Sequence, residues 1–226
     1  MAINSDMQEY YDRRAPVYEN IYDFDDPIRR KELDEIESEL IKAAAGQSVL
    51  EIACGSGYWT NLLAPVAPVP PVALKVSALD ASKQMLEIAR ARGLDPARVS
   101  FLLADAYDLP DFKERFTLGL AAFWLSHVPR ARVSEFLDGF QRRLTPGALV
   151  FLFDNHLVRG MGGELLAPKG DPNTYKIRKL PDGSRYQVVK NYYDERSLRE
   201  TLSDFGSDIR THVGSVYWWA TYHAGA

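Results

Sequence analysis

Residues 49–60, Val-Leu-Glu-Ile-Ala-Cys-Gly-Ser-Gly-Tyr-Trp-Thr, constrain the fold more than any other part of this sequence. The segment begins with apolar residues typical of a buried strand and ends with residues that fit the start of a helix. Gly55 and Gly57 lie between these parts, and glycine gives the backbone the freedom that an abrupt strand-to-helix turn requires. Two glycines also let a ligand approach the backbone and the unpaired amides of the following helix. The segment therefore predicts a ligand-binding turn in an α/β fold.

The same segment leaves the kind of ligand open. A dinucleotide-binding turn prefers a third glycine three residues after Gly57, where this chain has Thr60. Glu51 lies inside the predicted strand, and a buried carboxylate needs a partner, which a cationic ligand would provide. A tight turn that binds no ligand is the remaining alternative.

Composition restricts the class of protein. The chain has 226 residues, 46% of them hydrophobic and 26% charged, which predicts a single globular domain. The net charge of −4 does not favour binding to nucleic acid or anionic lipid. Cys54 is the one cysteine, so no disulfide can form within the chain. No apolar run resembles a signal peptide or a membrane span, and we therefore expect a cytoplasmic protein without a membrane partner.

Strand and helix patterns alternate through the first two thirds of the chain. Apolar runs predict strands at residues 49–53, 74–79, 99–103, 116–123 and 148–153. Apolar stripes with helix-ending signals predict helices at residues 27–46, 58–64, 83–91 and 133–144, with a turn at 145–147. Residues 65–72 are rich in proline and predict a stiff connector. This alternation predicts a parallel, doubly wound sheet.

The pattern changes after Asp154. Residues 155–172 predict a loop, and residues 175–180 and 185–190 predict a hairpin that either joins the sheet edge or arches over the active site. A helix at 195–205 and one last antiparallel strand within 208–222 follow. We therefore expect a Rossmann-like, seven-stranded, mostly parallel sheet with an antiparallel last strand and helices on both faces.

We expect one domain over residues 1–226, organised in four parts. These are an N-terminal helical lid or cap (1–46), a core (47–154), a loop and hairpin insertion (155–192) and a C-terminal helix and strand (193–226). Residues 7–22 carry Tyr10, Tyr11, Tyr18 and Tyr22, and Pro16 interrupts the helical pattern. These tyrosines either dock the segment on the sheet or cover a ligand.

Polar and aromatic residues follow the predicted strands where ligands bind in open parallel sheets. Asp80 follows the second strand and Asp105 the third, whereas Trp124 and His127 follow the fourth. Asp80 either accepts hydrogen bonds from a ribose or caps the next helix. Asp105 is either a ligand contact or a turn residue.

Three segments in this order, residues 49–60, Leu79-Asp80-Ala81-Ser82 and Ala104-Asp105-Ala106, resemble the motifs of the class I S-adenosylmethionine-dependent methyltransferases. The resemblance implies that Asp80 binds the ribose of S-adenosylmethionine and that Asp105 and Ala106 bind the adenine. It implies S-adenosyl-L-homocysteine as the product of the cofactor. The expected cofactor-binding residues are Tyr18, Glu51, Ala53, Gly55, Gly57, Trp59, Asp80, Ala81, Met85, Asp105, Ala106 and Phe123.

His127 is the candidate catalytic base, because an unperturbed imidazole titrates near neutral pH. The alternative is a structural histidine that caps the strand end. The expected substrate-binding residues are Tyr11, Trp124, Asn155, Tyr186 and Asn191. The remaining histidines have no Cys or Asp at metal-ligand spacing, so no metal is expected.

These features favour methyl transfer to a small-molecule acceptor at an N, O, S or C atom. The chain is not basic, and it lacks the Asn/Asp-Pro-Pro-Tyr/Phe segment of enzymes that methylate flipped bases, so no nucleic-acid partner is expected. Aromatic residues near both chain ends suggest a planar or partly apolar acceptor. The expected assembly is a monomer or homodimer. The alternatives are a nicotinamide-dependent oxidoreductase and a non-catalytic module that binds S-adenosylmethionine.

Overall fold

A computed structural model describes residues 3–21, 26–64 and 72–225. Tyr22 and all of the predicted proline-rich connector except Val72 lie outside the described residues.

Helices and strands alternate as the sequence predicts up to β5. The helices are α1 (Ile3–Arg14), α2 (Pro27–Ala44), α3 (Tyr58–Leu63), α4 (Lys83–Ala91), α5 (Val133–Gln141) and α6 (Glu195–Leu202), with 3₁₀ turns at Ala15–Ile21, Leu125–His127 and Arg130–Arg132. The strands are β1 (Ser48–Ile52), β2 (Lys75–Asp80), β3 (Val99–Leu103), β4 (Phe116–Ala122), β5 (Leu144–Asn155), β6 (Glu164–Leu166), β7 (Tyr175–Lys179), β8 (Arg185–Val189), β9 (Gly206–Val213) and β10 (Tyr217–Ala224).

The main sheet has seven strands in the order β3-β2-β1-β4-β5-β10-β9. Strands β1 to β5 pair in parallel, whereas β10 is antiparallel to β5 and to β9. This arrangement confirms the predicted seven-stranded, mostly parallel sheet. The strand order reverses between β1 and β4, so the carboxyl ends of these strands border a crevice.

Apolar side chains alternate between the two faces of the sheet. Val49 of β1 packs into a core cluster with α2, α3 and α4, whereas Leu50 and Ile52 pack into a cluster with α5 and α6. Because successive residues of a strand point to opposite faces, the apolar residues of β1 contribute to both clusters. The predicted placement of helices on both faces is confirmed.

The hairpin forms a second sheet of its own. Strands β7 and β8 pair antiparallel and take β6 as a third strand, so the predicted loop at residues 155–172 contains a strand. This strand has only three residues, too few to show an alternating pattern. Tyr10 of α1 packs against Leu180 and Val188 of the hairpin segment. The N-terminal helix and the hairpin are therefore one packed unit.

The last predicted strand is two strands, β9 and β10. The turn between them is held from outside, because the Glu32 carboxylate of α2 accepts hydrogen bonds from the amides of Ser215 (2.7 Å), Val216 (3.0 Å) and Tyr217 (3.0 Å). Glu32 and the turn are distant in the sequence, so the local sequence pattern could not predict this contact or the turn.

The predicted fifth helix and turn also differ from the structure. The helix ends at Gln141 rather than at Leu144, and β5 begins at Leu144 rather than at Ala148. Pairing with β4 extends the strand through the predicted turn, with an irregularity in register between Phe116 and Leu118. Within the described residues, no helix is both long enough and apolar enough to cross a membrane.

Gly119 of β4 gives a test of how closely α5 packs on the sheet. A Cβ atom at Gly119 would lie 2.7 Å from Phe140 and 2.9 Å from Leu144. We expect Gly119→Ala to lower the free energy of unfolding by about 1–3 kcal/mol, because a methyl group inserted into a packed core displaces its neighbours. Urea unfolding followed by circular dichroism measures this.

Gly139 of α5 supplies the matched control. A Cβ atom there meets only Arg142, at 3.9 Å. Gly139→Ala should raise the free energy of unfolding by about 0.5–1 kcal/mol through helix propensity. Equal effects of the two substitutions would contradict the tight packing of α5 on β4.

Candidate active site

A cleft lies at the carboxyl ends of β1 to β4, and we call it the strand-end cleft. Its lining includes most of the predicted site residues, namely Tyr11, Tyr18, Ala53, Gly55, Asp80, Ala81, Met85, Asp105, Ala106, Phe123, Trp124 and His127. Met7, Gln8 and Tyr107 also line it and are absent from the predictions. Strand ends and the N-terminal helix thus meet around one space.

The glycine turn forms one wall of the strand-end cleft. Gly55 and Gly57 have φ angles of +55° and +75°, a region that side chains rarely adopt. A Cβ atom on Gly55 would lie 3.6 Å from the ring of Tyr18, whereas one on Gly57 would lie 3.0 Å from the Cβ atom of Ala89. Gly55 therefore keeps the cleft wall bare, and Gly57 lets the turn pack against α4.

Asp80 connects the glycine turn to the end of β2. Its Oδ2 accepts from the amide of Gly55 at 2.8 Å, and its Oδ1 accepts from the amide of Ser82 at 2.8 Å. Burial raises the pKa of Asp80 to about 6, although these hydrogen bonds oppose the rise. The carboxylate is fixed at the cleft wall, and Ser82, not Asp80, is the N-cap of α4.

Asp105 lies one strand further along the sheet edge. Its Oδ1 accepts from the amide of Tyr107 at 2.9 Å and so forms a tight turn after β3. Ala106 is buried in the cleft wall beside it. The turn presents both a carboxylate and a backbone amide segment to the cleft.

Backbone strain is concentrated at this site. Ala53 and Phe123 have φ angles of +54° and +53°, and both follow strands that border the crevice. Such conformations cost free energy in residues other than glycine and cluster at functional sites. The strained residues both line the strand-end cleft.

The N-terminal segment closes the outer side of the cleft. Gln8 donates to the carbonyl of Ala81 at 3.2 Å, and the Ser82 hydroxyl donates to Asp12 at 2.5 Å. Tyr11 and Tyr18 lie edge to face, with ring centroids 6.1 Å apart. Aromatic rings thus shield the cleft from solvent on this side.

His127 is buried between the cleft and the hairpin. Its Nδ1 lies 2.7 Å from the carbonyl of Val189, and its Nε2 lies 2.9 Å from the Tyr11 hydroxyl. Burial, followed by the charge of Lys190, lowers the pKa of His127 to about 3. The ring is therefore neutral near pH 7. Because a carbonyl only accepts, Nδ1 carries the hydrogen and Nε2 accepts from Tyr11.

A second cavity, which we call the basic chamber, adjoins the strand-end cleft. Tyr11, Tyr18, Phe123 and His127 line both spaces. The other lining residues of the basic chamber include Arg14, Arg29, Asn155, His156, Arg178, Lys190 and Tyr192, and its volume is about 350 Å³. Of the predicted substrate-binding residues, Tyr11 and Asn155 lie here.

An ion pair fixes one wall of the basic chamber. Lys190 donates to Asp154 Oδ1 at 2.8 Å and to the Ser126 hydroxyl at 2.7 Å, and the Ser126 amide donates to Asp154 Oδ2 at 3.0 Å. Burial acts to raise the pKa of Asp154, but the charge of Lys190 and the hydrogen bonds from Lys190 and Ser126 together hold that pKa below its usual value. This network joins the end of β8 to the end of β5.

Three predicted cofactor-binding residues do not line the strand-end cleft. Glu51 is fully buried and accepts from the Thr60 hydroxyl at 2.6 Å. Trp59 packs edge to face on Phe153, at 4.7 Å between centroids. Gly57 faces α4. The motif places these residues behind the turn, where they support it.

Two predicted substrate-binding residues also lie outside both cavities. Tyr186 bonds Arg13 at 2.5 Å and Glu9 at 2.8 Å, which ties the hairpin to α1. Asn191 is buried and donates to the Val128 carbonyl at 3.0 Å. Both residues hold the segments that form the basic chamber.

No sequence pattern predicted the cationic residues that line the basic chamber. Arg14, Arg178 and Lys190 come from α1, β7 and the end of β8, so no local motif contains them. The signal available in sequence was Asp154 at the end of a buried strand, since a buried carboxylate requires a partner.

Within the described residues, no group of three or more His, Cys, Asp or Glu side chains has metal-binding geometry.

An open, mostly parallel sheet with a cleft where its strand order reverses defines the Rossmann-like class of α/β protein. Residues 49–147 match the family model of a methyltransferase domain. The 2-phytyl-1,4-naphtoquinone methyltransferase of Synechococcus elongatus is 32% identical over 149 residues, which are 65% of this chain and 62% of that protein. The demethylmenaquinone methyltransferase of Clavibacter sepedonicus is 33% identical over 170 residues, 73% and 65% of the two chains. The chain thus spans less than two thirds of the length of these curated relatives.

Solved structures match over nearly the whole chain. DhpI in complex with SAH has a TM-score of 0.78 and 26% identity, and the match covers 98% of this chain and 96% of DhpI. A DhpI-SAM-HEP complex has a TM-score of 0.76. Residues 49–147 thus match a methyltransferase domain, and the fold of the chain is similar to that of DhpI bound to SAH.

Glu51 makes the stability of this fold depend on pH. Burial raises its pKa from 4.5 to about 8, so the folded state retains a proton that the unfolded state loses. The stabilisation from protonated Glu51 is fully present below pH 4.5 and is lost as pH rises to about 8, by at most about 1.4 kcal/mol per pH unit. Glu51→Gln should remove this slope.

The free energies of unfolding of the wild type and Glu51→Gln should therefore diverge between about pH 4.5 and 8 and run parallel above it. Urea unfolding at a series of pH values measures both. Parallel curves over the whole range would mean that Glu51 is ionised in the folded state.

His127 should stay neutral over the working range of the protein. With a pKa of about 3, its ring should show no titration between pH 5 and 8 and should keep its hydrogen on Nδ1. Nuclear magnetic resonance of ¹⁵N-labelled histidine measures both properties, and His127→Gln assigns the signal. A titration midpoint near 6.5 would contradict the buried, neutral ring.

Proposed function

We propose that this protein transfers a methyl group from S-adenosylmethionine to a small-molecule acceptor. The main support is the strand-end cleft, in which a bare glycine turn, Asp80 and Asp105 line one wall at the ends of three adjacent strands. The match of residues 49–147 to the methyltransferase family model and the near full-length match to DhpI bound to SAH support the same cofactor.

The residues present fit this cofactor. Gly55 leaves open the space that a Cβ atom would fill beneath Tyr18, and the side chains of Asp80 and Asp105 line the same cleft. Asp80 would accept from the ribose hydroxyls, and Asp105 with Ala106 would hold the adenine. Tyr18 would cover the bound molecule from the lid side.

The chain's own residues would act by orientation and by exclusion of water. When bound, S-adenosylmethionine supplies a methyl group whose bonding electron pair stays on sulfur while the acceptor's lone pair forms the new bond. Holding the acceptor in line can contribute of the order of 7 kcal/mol to the lowering of the barrier. The Tyr11 and Tyr18 rings shield the site from water and favour a nearby cationic centre.

His127 as the catalytic base stays a prediction. Nε2 is the one acceptor atom of the neutral ring, and it already accepts a hydrogen bond from the Tyr11 hydroxyl, 2.9 Å away. Its low pKa makes it a weak proton acceptor. The geometry favours a positioning role, in which His127 orients the Tyr11 hydroxyl between the two cavities.

We also propose that the N-terminal part of the predicted 1–46 segment is a lid over the single domain. Support comes from the contacts of Gln8 and Asp12 with Ala81 and Ser82, which cross the mouth of the cleft. Only these two hydrogen bonds, among the described residues, join α1 to the segment after β2, so little has to break for the lid to open.

Calorimetry with S-adenosylmethionine, S-adenosylhomocysteine and NAD tests the cofactor. The first two should bind and NAD should not. Asp80→Asn should weaken binding at least tenfold, because hydrogen bonds to a charged group contribute about 1.5–3 kcal/mol. Wild-type affinity should fall as pH drops through about 6, where Asp80 takes up a proton.

Asp138→Asn is the control, because Asp138 is exposed on α5 and does not line the cleft. It should leave the affinity unchanged. Preferential binding of NAD would favour the oxidoreductase alternative, and cofactor binding without methyl transfer to any acceptor would favour the non-catalytic module.

A further inference from the structure

The basic chamber has an unusual charge for a cavity in an acidic protein. The chain has a net charge of −4, yet three arginines and a lysine line this space. None of its lining residues, among those that the structure describes, is Asp or Glu. A cavity with low-dielectric walls and one sign of charge concentrates the opposite charge inside it.

Lys190 does not account for this excess. Its side chain is 3% exposed and is paired with fully buried Asp154. The pair is close to neutral as seen from the cavity, and its function is to fix the chamber wall. The excess charge must therefore come from the arginines.

Arg14 and Arg178 have uncharged partners. Arg14 donates to the Tyr10 hydroxyl at 2.6 Å and stacks over the ring of Tyr18 at 5.4 Å. Arg178 donates to the Gly162 carbonyl at 2.5 Å. Within residues 3–21, 26–64 and 72–225, no carboxylate forms an ion pair with either arginine. Each guanidinium has five N–H donors, so most of its capacity remains for a ligand.

His156 is a further lining residue with hydrogen-bonding capacity that no described residue uses. Its Nδ1 atom is buried and has no hydrogen-bond partner in the described part of the chain. Buried polar atoms are seldom left without a partner, so an unpaired one in a cavity wall fits a site that binds a polar ligand. His156 lines the basic chamber together with Arg178.

The position of the chamber relates it to the proposed reaction. It shares Tyr11, Tyr18, Phe123 and His127 with the strand-end cleft, so a molecule inside it would be adjacent to the cofactor. A volume of about 350 Å³ is in the lower range of small-ligand sites.

From these observations we infer that the methyl acceptor is an anion and that the basic chamber binds its phosphate, phosphonate or carboxylate group through Arg14 and Arg178. This inference rests on the proposed function, whose acceptor class it specifies. The planar guanidinium groups suit oxyanions, with which they form paired, charge-assisted hydrogen bonds.

An anionic acceptor also agrees with the state of His127. An oxyanion has lone pairs and no proton to lose, so methylation at that group would need no base. Where another atom of the acceptor is methylated, the bound anionic group orients the acceptor so that this atom faces the methyl group. In both cases the neutral His127–Tyr11 pair serves to position the acceptor.

The quinones in the names of the curated relatives are uncharged. If the acceptor of this chain is an anion, its substrate differs in charge from theirs. Arg14, Arg29, Arg178 and Lys190 all lie outside residues 49–147, the segment that matches the methyltransferase family model. The family match therefore covers most of the strand-end cleft, whereas the cationic residues of the basic chamber come from segments outside it.

Calorimetry of the protein saturated with S-adenosylhomocysteine tests this inference. Inorganic phosphate, methylphosphonate and acetate are the probes, in separate titrations. At least one should bind, and binding should weaken as sodium chloride is added, since salt screens the charges. Arg178→Gln should reduce the affinity at least tenfold, because glutamine retains donors but loses the charge. The probe that binds best identifies the anion class.

Lys179→Gln is the matched control. Lys179 is the next residue of β7, is exposed and does not line the chamber, so its loss removes the same charge from the same strand. It should leave anion affinity unchanged. Both variants should bind S-adenosylhomocysteine like the wild type, which shows that the fold and the cleft are intact.

Failure of the inference and failure of the proposed function give different results. If S-adenosylhomocysteine does not bind the wild type, the proposed function is wrong. If it binds but no anion does, or if anions bind equally to Arg178→Gln, the chamber is not an anion site. Binding of a neutral naphthoquinol with unchanged affinity in Arg178→Gln, together with absent anion binding, would also overturn the inference.

Discussion

The hydrogen bond from the Gly55 amide to the Asp80 carboxylate is the contact on which the site depends. It joins the turn after β1 to the end of β2 across a 2.8 Å distance, inside a largely buried wall. A charged acceptor makes such a bond stronger than one between neutral groups. Through Ser82, the same carboxylate fixes the start of α4, so the glycine turn, the strand end and the next helix have one relative position.

The pair of Lys190 and Asp154 has the corresponding role for the basic chamber. Removing two charges from water is costly, and the hydrogen bonds of both groups with each other and with Ser126 offset part of that cost. The pair holds the end of β8 against the end of β5. Since β7 pairs with β8, this also sets where Arg178 lies relative to the sheet.

The sequence predicts most of the lining of the strand-end cleft because the information for it is local. A strand followed by Gly55, and carboxylates directly after two other strands, are patterns within a few residues. The predictions for Glu51 and Trp59 show the limit of this reasoning, since a motif residue can support the turn from behind rather than line the cleft. The basic chamber could not be predicted, because Arg14, Arg178 and Lys190 meet only through the packing of α1 on the hairpin.

Helix α1 is a common wall of two compartments. Gln8 and Asp12 attach it to the rim of the strand-end cleft, whereas Glu9 and Arg13 attach it to Tyr186 of the hairpin. A displacement of this helix therefore changes the shape of both spaces at once, and neither can open independently on that side. Access to the strand-end cleft and access to the basic chamber are in this way mechanically linked by one helix of 12 residues.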